Sequence, residues 1–268
     1  MSTGTVPDAQ SVSAEVGDTS LVVDEVSKRY GGLEVLDAVT FSVLKNTIFG
    51  LAGPNGAGKT TLLNIISGFT KSDGGRISVY GTDTTRMNAL QLSHTGVART
   101  FQNIRLFRGL TVREQISAGG YRHRKASTLA GMFVLPSDRR DRRELAQNTD
   151  DLLEFVGLAH LGDRLAETQS YGDQRRIEIA RALASRPRLL LLDEPTAGMN
   201  EADWLPIADL LGKVREQGVA VVVIEHNMRL LERCCDRIAV LAAGAVIAED
   251  EPGTCLRLPE VRRAYFGK

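Results

Sequence analysis

The apolar positions along the chain fall into two textures. Residues 189–192 and 219–224 are unbroken apolar runs, the pattern of parallel strands buried on both faces. Residues 47–52 form a third short apolar strand that runs straight into glycine. Segments 21–26 and 39–44 have the β-branched content of strands, and 74–81 reads as a strand bounded by glycines. Helical spacing governs 60–67, 150–156 and 203–216, the last closed by Gly218 as a C-cap. Between about 103 and 168, helical periodicity and a charged stretch at 139–144 predict a helical insertion. The order is therefore a strand-rich layer, a strand–loop–helix unit, a helical insert and a return to α/β texture, with no internal repeat.

Composition narrows this picture. A chain of 268 residues, 43% hydrophobic and 25% charged, is ordinary for a soluble globular protein and excludes disorder over most of its length. No apolar run approaches the ~20 residues needed to cross a bilayer. The longest, 219–224 and 238–248, are of strand length. The first twenty residues are rich in Ser, Thr, Asp, Glu and Gly, and lack a basic start followed by an apolar stretch. They read as a mobile tail and not as a signal peptide. Cys234, Cys235 and Cys255 fit neither a disulfide framework nor a metal-ligand spacing, and favour a reducing compartment. Lys and Arg (33) balance Asp and Glu (33), and aromatics are only 5%, which argues against a polyanion partner and a base-stacking surface. That zero is a sum of unlike parts. From residue 104 to 143, ten basic side chains (Arg105, Arg108, Arg113, Arg122, Arg124, Lys125, Arg139, Arg140, Arg142 and Arg143) face only Glu114, Asp138 and Asp141.

Two stretches carry chemistry. Gly53-Pro54-Asn55-Gly56-Ala57-Gly58-Lys59-Thr60, followed by Thr61, matches the phosphate-binding pattern G-x-x-x-x-G-K-[ST] between a predicted strand and a predicted helix. Glycines let backbone N–H groups curl round a phosphate, and the helix that follows points its positive end at the anion. Lys59 has the length to reach the β- and γ-phosphates, and the Thr60 hydroxyl is placed to hold Mg2+. The second stretch is the apolar strand 189–192 running into Asp193 and Glu194. A strand-end carboxylate lies where ligands of open α/β sheets bind. Asp193 is thus a metal-binding candidate, and Glu194 a candidate general base for an attacking water.

Around these stretches the chain resembles the ATP-binding-cassette (ABC) ATPases, from about residue 21 to the C-terminus. Gln102, within Arg99-Thr100-Phe101-Gln102-Asn103, resembles the family's Q-loop glutamine. Gln169-Ser170-Tyr171-Gly172-Asp173-Gln174 is similar to the signature motif, at the family's spacing before Asp193. His226 stands where the family has its switch histidine, and Ala197-Gly198-Met199-Asn200 where it has its D-loop. Tyr30 takes the place of the aromatic ring that lies against adenine. The resemblance implies an α/β fold: a P-loop nucleotide-binding domain with a RecA-like core, an antiparallel β layer and a helical subdomain. That domain would span 21–268, with the helical part inserted at about 103–168.

The implied ligands are ATP and Mg2+. By resemblance, Gly53, Pro54, Asn55, Gly56, Ala57, Gly58, Lys59, Thr60, Thr61 and Tyr30 bind the nucleotide, and Thr60, Gln102 and Asp193 the metal. Glu194, His226, Lys59 and Gln102 carry catalysis. Cassettes of this kind dimerise head to tail, so that Ser170 and Gly172 of one chain would donate to the γ-phosphate held by the other. Hydrolysis would remove that bridge and open the dimer.

A narrower kinship is carried by runs 98–107, 197–200, 224–228 and 261–267, which look like ATP-binding subunits of branched-chain amino acid importers. In that group the partners are a second, related or identical ATPase subunit, two transmembrane permeases and a periplasmic or extracellular solute-binding protein. The ATPase sits at the cytoplasmic face of the membrane, and no nucleic acid is involved. The basic stretch 104–143 would then face the permease and anionic lipid. Three departures stand out: Gln169 replaces the usual leucine, Asp173 the usual glutamine or glutamate, and Lys45-Asn46 the usual Gly-Glu turn. The first would loosen local packing and the second weaken contacts across the dimer. A soluble ABC ATPase serving an assembly machine, such as iron–sulfur cluster biogenesis, is the alternative, and a module that binds nucleotide without hydrolysing it is a further one.

Overall fold

The computed structural model describes residues 18–121 and 136–266. The chain starts with a long hairpin, β1 (Thr19–Tyr30) and β2 (Leu33–Leu44). β3 (Ile48–Ala52) follows, then α1 (Lys59–Ile66), β4 (Gly74–Val79), β5 (Thr82–Asp83), α2 (Ala89–His94) and β6 (Val97–Arg99). The helical stretch brings α3 (Val112–Gly120), α4 (Pro136–Phe155) and α5 (Tyr171–Leu183). The last part alternates β7 (Leu189–Asp193), α6 (Glu201–Glu216), β8 (Ala220–Ile224) and α7 (Met228–Cys234). It ends with β9 (Arg237–Ala242), β10 (Ala245–Asp250), α8 (Pro252–Cys255) and α9 (Pro259–Phe266).

Two sheets result. The first is antiparallel, in the order β2-β1-β4-β5. The second runs β10-β9-β3-β8-β7-β6, parallel except for β10 at its edge. Every residue of β3, β7 and β8 is buried, as their unbroken apolar runs require. Period-two alternation then divides the interior. Leu189, Leu191, Val222, Ile224, Phe49 and Leu51 face the antiparallel sheet and α1. Leu190, Leu192, Val221, Val223 and Ile48 face the helices on the other side. Stacking of Phe41 on Phe49, with centroids 5.2 Å apart, joins the two sheets.

Several expectations shift in detail. Thr19 and Ser20 belong to β1 and are buried, the Ser20 hydroxyl donating to the Val43 carbonyl at 3.1 Å, so the strand starts two residues earlier than the expected position 21. Residues 1–17 lie outside the described residues. The apolar run 238–248 is not one strand but a hairpin, β9 and β10, broken at Ala243-Gly244 where both φ angles are positive (46° and 85°). Helix α4 is a single element of 20 residues. Its apolar spacing is evident in sequence only at its end, because the preceding turns carry charges and no continuous apolar stripe. Of the basic stretch, Arg122, Arg124 and Lys125 lie outside the described residues. Arg113 is not a free cation, being paired with Asp150 and, at 3.4 Å, with Asp163.

Candidate nucleotide-hydrolysis site

The site forms at the carboxyl ends of β3, β7 and β8, where the parallel strands release their loops. β3 ends against Gly53, whose φ is 142° and where a Cβ would sit 2.1 Å from the Leu241 carbonyl oxygen of β9. Only glycine permits that approach. Gly58 caps α1 with φ 101°, and no side chain fills the cap. The first N–H groups of α1 therefore have neither intrahelical carbonyls nor a capping side chain, which is the geometry of an anion site. Asn55, Gly56 and Thr60 are exposed along this loop, while Pro54 and Thr61 are half-buried and Ala57 is buried. The buried Lys59 ammonium folds back to donate to the carbonyls of Gly53 (2.7 Å) and Pro54 (2.8 Å). Burial lowers its pKa, with Glu194 and Asp193 opposing that shift.

Asp193, the last residue of β7, is buried against Arg99, whose guanidinium donates to its Oδ2 at 3.0 Å. Arg99 also donates to Asn64 Oδ1 and Ser67 Oγ, both at 2.7 Å, and lies over the rings of Phe69 and Phe101. Burial pushes the Asp193 carboxyl up from its ordinary value, and Arg99 opposes this. Glu194 adopts φ 45°, a left-handed backbone that costs energy for a side-chain-bearing residue. Its N–H is fixed by the Ile224 carbonyl of β8 at 3.0 Å. Its Oε2 accepts the Gln102 amide at 2.9 Å, and its Oε1 lies 3.9 Å from His226 Nδ1. Gln102, Glu194 and His226 are thus gathered at one point, beside Lys59 and Asp193.

Tyr30, Ser170 and Gly172 make their contacts away from this cluster. Tyr30 is half exposed at the end of β1, with the Lys28 ammonium 5.3 Å from its ring centroid. Gly172 lies in the first turn of α5 near the Asp203 carbonyl of α6, which a Cβ would approach to 3.8 Å. Ser170 caps α5; its hydroxyl accepts the Asp173 N–H at 3.1 Å and donates to the Asp173 carboxylate at 2.7 Å. Asp173 is also paired with Arg176. Gln169 is half-buried, and its amide nitrogen is satisfied locally, donating to the Leu165 carbonyl (2.8 Å) and Thr168 hydroxyl (3.0 Å). Asn46 sits at φ 56°, a conformation asparagine tolerates well, and this suits the Lys45-Asn46 turn.

Three residues of the site escaped the sequence reading. Arg99 counted only as part of the Q-loop run. Arg175, fully buried, donates to the carbonyls of Phe101 (2.8 Å) and Gln102 (2.7 Å), tying α5 to the Q-loop; its sequence signal is an arginine paired i,i+3 with Glu178 on an otherwise apolar face. Tyr265 accepts the Gly53 N–H through its hydroxyl, which burial pushes up to about 12. The donor set also bears on a metal. No group of three His, Cys, Asp or Glu side chains is clustered for metal binding among the described residues. A single buried carboxylate at the end of β7, Asp193, instead suits a hard cation that takes most of its ligands from phosphate and water.

The comparisons agree with this fold. The sequence profile of the family described as ABC transporter matches residues 36–197. The high-affinity branched-chain amino acid transport ATP-binding protein BraF of Pseudomonas aeruginosa is 39% identical over 249 residues, covering 92% of this chain and 98% of that protein. The high-affinity branched-chain amino acid transport ATP-binding protein LivG of Escherichia coli K12 is 36% identical over the same length and the same shares. Among solved structures, the ADP conformation of MJ1267, an ATP-binding cassette of an ABC transporter, superposes with a TM-score of 0.82 at 32% identity, covering 93% of this chain and 99% of that one. The chain is a nucleotide-binding ATPase cassette and belongs to the ABC transporter family.

Proposed function

We propose that this chain is the ATP-hydrolysing subunit of an importer for branched-chain or related small amino acids. The observation that carries the reading is the meeting of Lys59, Asp193, Glu194, Gln102 and His226 at the mouth of the parallel sheet, in a chain similar along nearly its whole length to BraF and LivG. The same likeness favours an importer over a soluble ATPase that serves an assembly machine.

In this reading the open N–H groups of α1 and the loop 53–58 receive the β-phosphate, and Tyr30 stacks on adenine. Lys59 exchanges its two loop carbonyls for phosphate oxygens. Thr60, Gln102 and Asp193 would hold Mg2+, which when bound neutralises charge that develops between the β- and γ-phosphates. Glu194 takes a proton from water as the water oxygen attacks the γ-phosphorus; the bond to the bridging oxygen breaks and ADP leaves with that electron pair. The strained backbone of Glu194 and its amide partner Gln102 aim the carboxylate, and His226 faces the same carboxylate from the other side. Ser170 and Gly172 of a second cassette, the same chain or a related one, close over the γ-phosphate.

Two permeases would dock at the Q-loop. A recess of about 320 Å3 opens there, lined by Phe69, Leu92, Ala98, Phe101 and Ser185, and the nearby Phe69 and Phe107 rings are more than half exposed. No helix of the described residues is long and apolar enough to cross a membrane, so attachment to the cytoplasmic face would come through those permeases, with a solute-binding protein on the far side.

A phosphate-release assay tests the reading. Wild type should hydrolyse Mg-ATP, and Glu194→Gln should still bind ATP while turnover drops by ~10²-fold or more, the scale of a lost general base. Near-normal turnover in that variant would remove Glu194 from its role.

A further inference from the structure

Glu225 directly follows β8 and is fully buried. A buried carboxylate persists only when donors replace its water, and this one has four. Oε1 accepts the Thr196 backbone N–H at 2.8 Å and the Thr196 hydroxyl at 2.6 Å. Oε2 accepts the backbone N–H groups of His226 at 3.1 Å and Asn227 at 3.3 Å. Each oxygen therefore holds a different loop. Thr196 lies between Glu194 and the D-loop run Ala197–Asn200, and Met199 N–H returns to the Thr196 carbonyl at 3.1 Å. His226 and Asn227 form the turn into α7, which Asn227 caps. Three of the four donors are backbone groups, so the carboxylate dictates the paths of the loops and not merely the pose of a side chain. A neighbouring backbone bond, Glu194 N–H to the Ile224 carbonyl, fixes the strained Glu194 at the same junction.

We propose that Glu225 is a positioning residue: it locks the loop that carries His226 to the loop that carries Glu194 and the D-loop, so that the three move as one body when the nucleotide is enclosed. The inference rests on the reading of the site as an ATP-hydrolysing centre. Glu225 itself touches no phosphate in that reading, and its effect passes through its neighbours: three backbone N–H groups, the Thr196 hydroxyl and the His226 imidazole, whose Nδ1 lies 3.8 Å from Oε2.

Glu225→Gln tests this at constant shape. A carboxamide can accept on one loop only; turned either way, its NH2 group meets N–H donors of the other. Steady-state hydrolysis of Mg-ATP by the full chain, paired with binding of a fluorescent ATP analogue, should show kcat reduced by ~tenfold or more while analogue affinity stays within about threefold of wild type. Thr196→Val removes one of the four donors and should give the same split at smaller size. The double variant should lose no more than Glu225→Gln alone, because both cut one linkage. A purely structural residue would lower affinity and turnover together, so a parallel loss overturns the proposal, as does an unchanged kcat or an additive double variant. Should Glu225→Gln fail to fold, Thr196→Val decides by the same criterion. A wild-type chain that hydrolyses no ATP would instead overturn the hydrolysis reading, and this inference with it.

Discussion

Two helices of this molecule point their N-termini at phosphate in the proposed cycle, and they are finished in opposite ways. Helix α1 begins at Gly58 with no capping side chain and no acid in its first turn. Helix α5 begins at Ser170, is capped by that serine, and carries Asp173 in its first turn. The first end is left open, its loop held in shape by close backbone approaches at Gly53 and Gly58 and by the Tyr265 hydroxyl. The second is closed on itself, since the Ser170 hydroxyl already donates to Asp173. An open N-terminus is a binding site before any ligand arrives, whereas a capped one must first give up an internal partner. This difference suits a loop that holds nucleotide within one chain and a loop that meets it only across a dimer.

The largest expected effect comes from filling the space that keeps the first end open. At Gly53 an added Cβ would lie 2.1 Å from the Leu241 carbonyl oxygen, a contact that backbone cannot yield cheaply, and φ is 142°. Gly53→Ala should destabilise the chain by ~3 kcal/mol or more and abolish nucleotide binding, as read by thermal unfolding and by titration with ATP. A stable, ATP-binding variant would mean that the loop does not depend on this approach to β9. Lys59→Ala comes next. It removes a buried ammonium whose present partners are loop carbonyls. Its loss should cost ATP binding roughly 1.5–3 kcal/mol, the range of a charged hydrogen bond, or roughly 10- to 150-fold in Kd. Because those carbonyls also lose a donor, unfolding temperature should fall by a few degrees only.

How much of this was legible before the structure follows the same division. The open helix end is written in sequence, because its chemistry demands glycine at fixed places and a lysine beside them, and few other residues satisfy a positive φ or a Cβ-free contact. The paired acids Asp193 and Glu194 were legible only beside that loop, since a strand ending in two acids is common by itself and points to phosphate chemistry once a phosphate-binding loop accompanies it. The partners of those groups were not. Arg99, Arg175 and Tyr265 lie far along the chain from what they hold, as Glu225 does from Thr196, and each reaches it through folding alone. Beyond its i,i+3 partner Glu178, nothing local distinguishes a buried Arg175 from the exposed arginines of α4. The hairpin at β9 and β10 was hidden for the opposite reason: its turn, Ala243-Gly244, is too apolar to interrupt the run on either side. Asp173 could be noticed as a departure, but only the folded helix end shows that it occupies the Ser170 hydroxyl.

Asp173 also supplies the finest test of the contrast between the two helix ends. Asp173→Asn keeps a side-chain oxygen for the Ser170 hydroxyl but removes the negative charge and weakens the pairing with Arg176. Loss of an acid from the first helical turn costs ~0.3–1 kcal/mol, so unfolding temperature should drop by about 1–4 °C. Dimerisation should respond in the other direction. A carboxylate near the place where a partner's γ-phosphate would sit repels it, by ~1 kcal/mol for nearby charges in water, and holds the proton that phosphate needs. In a Glu194→Gln background, which retains ATP, the double variant should therefore form an ATP-dependent dimer ~fivefold tighter, as measured by sedimentation equilibrium. An unchanged or weaker dimer would show that the capped end gives up Asp173 without cost, and that the two helix ends differ in appearance more than in function.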